Sequence, residues 1–134
     1  MGIFKNLELE YSFDIVDEFL SHYSLMCDIM EPLIVSLNRP DKYKDNMREL
    51  YRIFHNIKSA SAYMHLDPIL KLTTLAEEIC SEAINLQGPA NDKFIDWLLL
   101  VNDQFSKYRA DLENDAEFFS VLEPLIVNIP QKLD

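Results

Sequence analysis

Residues 44–64 read KDNMRELYRIFHNIKSASAYM, and the period of their apolar members sets the architecture expected for the whole chain. Leu50, Ile53, Ile57, Ala60 and Met64 recur every three or four positions, with Ser61 beside them, which predicts one buried stripe on a helix from about Lys44 to Met64. At about 100° per residue, His55 lies almost opposite Ile57 and Met64, so it faces solvent when they face inward. Tyr51, Arg52, Lys58, Ser59 and Ala62 share its side. A solvated helix face ordinarily carries long Glu, Lys or Gln side chains. Here an imidazole stands between two cations, beside residues too small to cover it.

The same period extends outward in both directions. Upstream, Phe13, Val16, Leu20, Tyr23, Cys27, Met30, Ile34 and Leu37 form a helical seam, widened by Ile15, Phe19, Met26 and Leu33. Pro32 falls inside this helix and is expected to kink it, and Asn38-Arg-Pro-Asp41 makes the first turn. Downstream, Asp67-Pro68 reads as an N-cap followed by proline at the first helical position. The stripe Ile69, Leu72, Ala76, Ile79, Ala83 and Leu86 follows, stopped by Gly88-Pro89. Asn91 or Asp92 caps a fourth helix carrying Phe94, Trp97, Leu98, Val101, Phe105, Tyr108 and Leu112. A short fifth helix is expected over Asp115 to Leu122, before Pro124. Glu31-Pro-Leu-Ile-Val35 recurs as Glu123-Pro-Leu-Ile-Val127, but the flanking residues do not repeat, so this reads as coincidence. The expected fold is all-α: an antiparallel four-helix bundle with a short additional C-terminal helix, one domain over residues 1–134.

Composition narrows the chemistry. The 134 residues include only two glycines, Gly2 and Gly88, so neither a P-loop nor a dinucleotide fingerprint can be written. The net charge of −11 argues against nucleic acid and against anionic membrane surfaces as partners. No apolar run approaches a membrane span, and MGIFKNLELE has no signal-peptide core. Cys27 and Cys80 fall on apolar helix positions without C-x-x-C spacing, which reads as small core residues in a reducing cytoplasm. The chain begins at Met and ends soon after its last predicted helix, which suggests a free-standing protein, with an excised domain of a larger kinase as the open alternative. No metal-ligand spacing joins His22 or His65 to nearby acids. His22 is expected to be a packing residue, and His65 to compensate the dipole at the end of its helix.

The His55 face suits a phosphoryl group. An exposed neutral imidazole is a competent nucleophile, because its ordinary pKa is about 6.5. The phosphorylated ring carries a dianion that Lys58 and Arg52 are placed to screen. Transfer is mostly positioning and electrostatics, so a sparse site suffices when the partner supplies metal.

Residues 48–66, RELYRIFHNIKSASAYMHL, resemble the signature of histidine-containing phosphotransfer (HPt) domains, above all the type at the N-terminus of chemotaxis kinases. That signature has an apolar residue and arginine ahead of the histidine, then H-x-[IL]-K-G and small residues. Arg52, His55, Ile57 and Lys58 fill those places. LTTLAEEI (72–79) resembles the family's stretch with leucine two residues before a glutamate, here Leu75 and Glu77. The resemblance implies that Glu77 holds Nδ1–H of His55 and leaves Nε2 to take the phosphoryl group. Two positions depart from the pattern: Ser59 and His65 stand where glycine is usual. Histidine tolerates positive φ, so the turn is expected to survive.

The resemblance implies a cytoplasmic phosphocarrier rather than an enzyme. Its partners would be a response-regulator receiver domain, a sensor histidine kinase, or both, and it would carry no cofactor of its own. Tyr51, Ser59 and Ala62 would lie under the docked partner, probed together with part of the first helix. The rival expectation is an HPt-like adaptor or phosphate sink that binds a receiver with little transfer, which Ser59 and His65 favour. A helical interaction protein outside phosphorelay is the third.

Overall fold

A computed structural model describes all 134 residues. The chain is all-helical, with no strand: α1 (Ile3–Glu10), α2 (Phe13–Val35), α3 (Tyr43–Tyr63), α4 (Asp67–Ile84) and α5 (Asp92–Glu113). Two 3-10 turns, Ser36–Asn38 and Pro124–Val127, complete it. No helix is long and apolar enough to cross a membrane.

α2 packs on α3 and α5, and α4 packs on the same two helices, so these four close around one core. The most extensive contact joins α3 and α4. α4 buries the small residues Thr73, Ala76, Cys80 and Ala83, and small side chains allow close helix approach. Leu50 and Phe54 of α3 and Phe94 and Phe105 of α5 are fully buried, each contributing about 1.5–3 kcal/mol from removal of apolar surface. Buried polar groups fix the helices in register. The Tyr43 hydroxyl donates to the carbonyl of Ala83 at 2.7 Å, and that of Tyr23 to Phe105 at 2.6 Å. Cys27 and Cys80 are free and buried; desolvation raises the Cys27 thiol to about 12.

Helix ends follow local chemistry. Ser12 accepts from the amide of Ile15, and Asn91 from that of Phe94 at 2.8 Å. α3 ends with His65 at φ +56°, the amide of Leu66 bonding to the carbonyl of Ser61 and that of His65 to Ala62. That is a Schellman turn with histidine in the position glycine usually takes. Asp67 is the first helical residue of α4, one place inside its expected cap.

Several expectations are corrected. No helix forms over Asp115–Leu122. Asp115 takes φ +51° and ends α5, and the following segment is held on side chains of that helix. The Asp111 carboxylate accepts from the amide (2.6 Å) and hydroxyl (3.0 Å) of Ser120, and Gln104 accepts from the amide of Glu123 at 2.8 Å. Amides committed to side chains cannot build a helical ladder. At the other end, α1 was not anticipated: the Asp115 carboxylate accepts from the amides of Gly2 (3.2 Å) and Lys5 (3.0 Å), closing its first turn. Phe13 and Ile15 are exposed rather than seam residues, Ile15 lying at the rim of a cleft between α2 and α3. Helix α2 continues without a break through Pro32.

Candidate functional site

The site grows from the exposed face of α3 and one residue of α4. Ile53, Phe54, Ile57 and Ser61 anchor α3 inward, which turns His55 outward with its side chain 56% exposed. Across the groove, Ala76, Ile79 and Cys80 anchor α4 and leave Glu77 on the flank that faces α3, only 14% exposed. The two meet with Nδ1 of His55 3.5 Å from Oε2 of Glu77. Lys58, one turn along α3, brings Nζ to 3.6 Å from the same oxygen.

Neither approach is an aligned hydrogen bond, and Oε2 of Glu77 is buried without one. A carboxylate in that position is poised to accept a hydrogen bond from the ring and is incompletely satisfied without one. One turn further along α4, burial first and the Glu77 carboxylate second push the Cys80 thiol far up, so it stays a neutral core group.

The remaining expected residues separate into two sets. Ser59 and Ala62 are exposed on the His55 face. Tyr51 is half-buried and lays its ring against His55, with centroids 6.3 Å apart and planes at 12°. Arg52 lies apart from the cluster: its Nη1 donates to Oε2 of Glu49 at 3.2 Å, so its charge is engaged along its own helix. The sequence reading assigned Lys58 to a phosphoryl group and did not foresee that it shares Glu77 with His55. Nor did it foresee the Tyr51 stack, although the i, i+4 spacing of the two rings carried that signal.

Around the edge of α3 from His55, α2 and α3 enclose an apolar cleft of about 220 Å³. Phe19, Met26, Ile57 and Tyr63 line it, with the exposed side chains of Glu18 and His22. His22 is therefore a surface residue of the cleft and not a packing histidine, because the seam turns Tyr23 rather than His22 into the core. No three His, Cys, Asp or Glu side chains converge as a metal ion would need.

No family model, curated protein or solved structure matches the chain.

Proposed function

We propose that this chain is a histidine phosphocarrier in a two-component phosphorelay. His55 takes a phosphoryl group from a receiver-domain aspartyl phosphate, or from a sensor kinase, and passes it to another receiver. The observation that supports this most is the half-exposed imidazole with Nδ1 facing the largely buried carboxylate of Glu77.

The chemistry follows from that pairing. With the proton on Nδ1, Nε2 presents its lone pair to solvent. Nε2 attacks phosphorus, the bond from phosphorus to the donor carboxylate oxygen breaks, and the electron pair leaves with the aspartate. The ring keeps its Nδ1 proton and becomes an imidazolium bearing the phosphoryl dianion. Glu77 stabilises that new positive charge, and Lys58 is close enough to turn toward the dianion. The partner supplies Mg²⁺ and, for a kinase, the nucleotide. The reverse sequence discharges the group to a second aspartate.

The finer architecture belongs to the same reading. We read α2 to α5 as an antiparallel four-helix bundle, supported by their closed set of contacts and short connections. A receiver domain would dock over His55, Ser59 and Ala62 and extend onto the apolar cleft between α2 and α3. Two buried free thiols suit a reducing cytoplasm. Ser59 alone now favours the adaptor or sink alternative, since His65 adopts the backbone angle that glycine would have supplied.

The test is transfer from a panel of phosphorylated receiver domains to the native chain and to His55→Gln. Acid-labile, alkali-stable label on the native chain alone supports the carrier. Tight receiver binding without label supports the adaptor. Neither label nor binding removes both.

A further inference from the structure

The His55 ring is constrained on a side that phosphoryl transfer itself does not use. Tyr51 lies one turn earlier on α3 with its ring within 12° of parallel and its centroid 6.3 Å away, inside the range of offset aromatic pairs. Tyr51 is half-buried and packs on the hydrophobic core, so it is a fixed wall beside a ring that is otherwise 56% exposed. Glu77 approaches the imidazole at Nδ1, at 3.5 Å and without an aligned hydrogen bond. A contact of that kind does not set the plane of a ring whose χ2 well is broad.

We propose that Tyr51 is a positioning residue that holds the plane of the His55 imidazole, so that Nδ1 stays directed at Glu77 and Nε2 stays directed at solvent. The proposal rests on the phosphocarrier reading and deepens it. Tyr51 sets the plane, and Glu77 chooses which edge of the ring faces α4. Without the wall, the ring leaves this orientation for part of the time and loses its acceptor. Its proton then redistributes toward Nε2, the tautomer that free histidine prefers. A ring protonated on Nε2 offers no lone pair outward, and the nitrogen it can offer is Nδ1. Tyr51 thereby governs both the fraction of competent nucleophile and which nitrogen is phosphorylated. An aromatic pair of this type changes the population of the held orientation by about two- to tenfold.

The experiment compares the native chain, Tyr51→Phe and Tyr51→Leu, with Tyr51→Met as a second non-aromatic variant in case Leu lowers the melting temperature. Long-range ¹H–¹⁵N spectra of the imidazole, taken with the ring neutral, give the tautomer ratio. Each protein is then treated with phosphoramidate. The His55 nitrogen forms the N–P bond as the P–N bond of the reagent breaks and ammonia leaves with its electron pair. The native chain and Tyr51→Phe should hold the proton on Nδ1 and carry the phosphoryl group on Nε2. The non-aromatic variants should shift the tautomer ratio about two- to tenfold toward Nε2–H and yield some Nδ1 product. Native ratios in both folded non-aromatic variants overturn the proposal. If His55 takes no phosphoryl group in any of the proteins, the carrier reading fails, and the tautomer ratios alone decide the role of Tyr51.

Discussion

His55 and Lys58 address one oxygen: Oε2 of Glu77 lies 3.5 Å from Nδ1 of the first and 3.6 Å from Nζ of the second. The carboxylate is largely buried and makes no hydrogen bond there, so its value lies in what it does to the ring. Exchanging a charged acceptor for a neutral one costs about 1–2 kcal/mol where a cationic imidazole forms. Glu77→Gln should therefore slow phosphoryl transfer about tenfold. The same change removes an under-satisfied buried charge, so the melting temperature should hold or rise. A fall in stability that matches the fall in transfer would mark Glu77 as structural.

Lys58 and Arg52 flank His55 in sequence, but the structure separates them. Lys58 reaches the shared carboxylate with its side chain 38% exposed, while Arg52 is 71% exposed and paired with Glu49. An exposed i, i+3 pair contributes little. Lys58→Met is expected to slow transfer about three- to tenfold, and by less as salt rises, because a partly exposed charge is screened. Arg52→Ala should change the rate by under about twofold. Rates measured at two ionic strengths check both, and an Arg52 effect equal to that of Lys58 would contradict the assignment.

The sequence made the helices legible where burial is one-sided and the ends are locally capped. α5 satisfies both conditions, with its cap at Asn91 where the sequence places it. α3 and α4 start without a side-chain cap and were legible from their one-sided stripes alone, Leu50, Ile53 and Ile57 in α3 and Ile69, Leu72 and Ala76 in α4. The rest depended on partners distant in the chain. Gly2 and Lys5 find their acceptor at Asp115, and Ser120 and Glu123 find theirs on α5. The repeated pentapeptide makes the point with identical residues. Glu31–Val35 closes an α-helix, whereas Pro124–Val127 is a 3-10 turn pinned where Trp97 Nε1 donates to the carbonyl of Ile126 at 2.8 Å. At the site, the resemblance pointed to His55 and Glu77, which the structure brings together. Spacing within α3 could not reveal that Glu49 engages Arg52 or that Lys58 leans toward α4.

Gly88 is the one glycine at which both space and backbone angle demand the residue. It takes φ +75°, and a Cβ there would collide with the ring of Tyr43. Tyr43 is fully buried and its hydroxyl is committed to Ala83, so it has little freedom to yield. Gly88→Ala combines a left-handed backbone penalty with overpacking, for a loss of about 2–3 kcal/mol. Urea unfolding checks the value, and a loss below about 0.5 kcal/mol would show that the turn relaxes.

Asp115 couples α1 to pH. Hydrogen bonds from the amide of Lys5, and secondarily from that of Gly2, hold its carboxyl below the ordinary value of 3.8. The positive charges of Lys5 and the N-terminal amine act in the same direction. A carboxyl whose folded value is depressed stabilises the fold fully above its unfolded value and loses that contribution as pH falls through the folded one. The docking of α1 is therefore expected to be unchanged from neutrality down to about pH 4 and to weaken below 3.8. Amide hydrogen exchange over Ile3–Glu10 measures it locally, since protection there should drop before that of α3 or α5. Asp115→Asn keeps a residue that tolerates positive φ but removes the charge. In that variant α1 should be less protected at neutral pH and should lose its dependence on acid. Retention of the acid-induced step in Asp115→Asn would assign the coupling to another carboxyl.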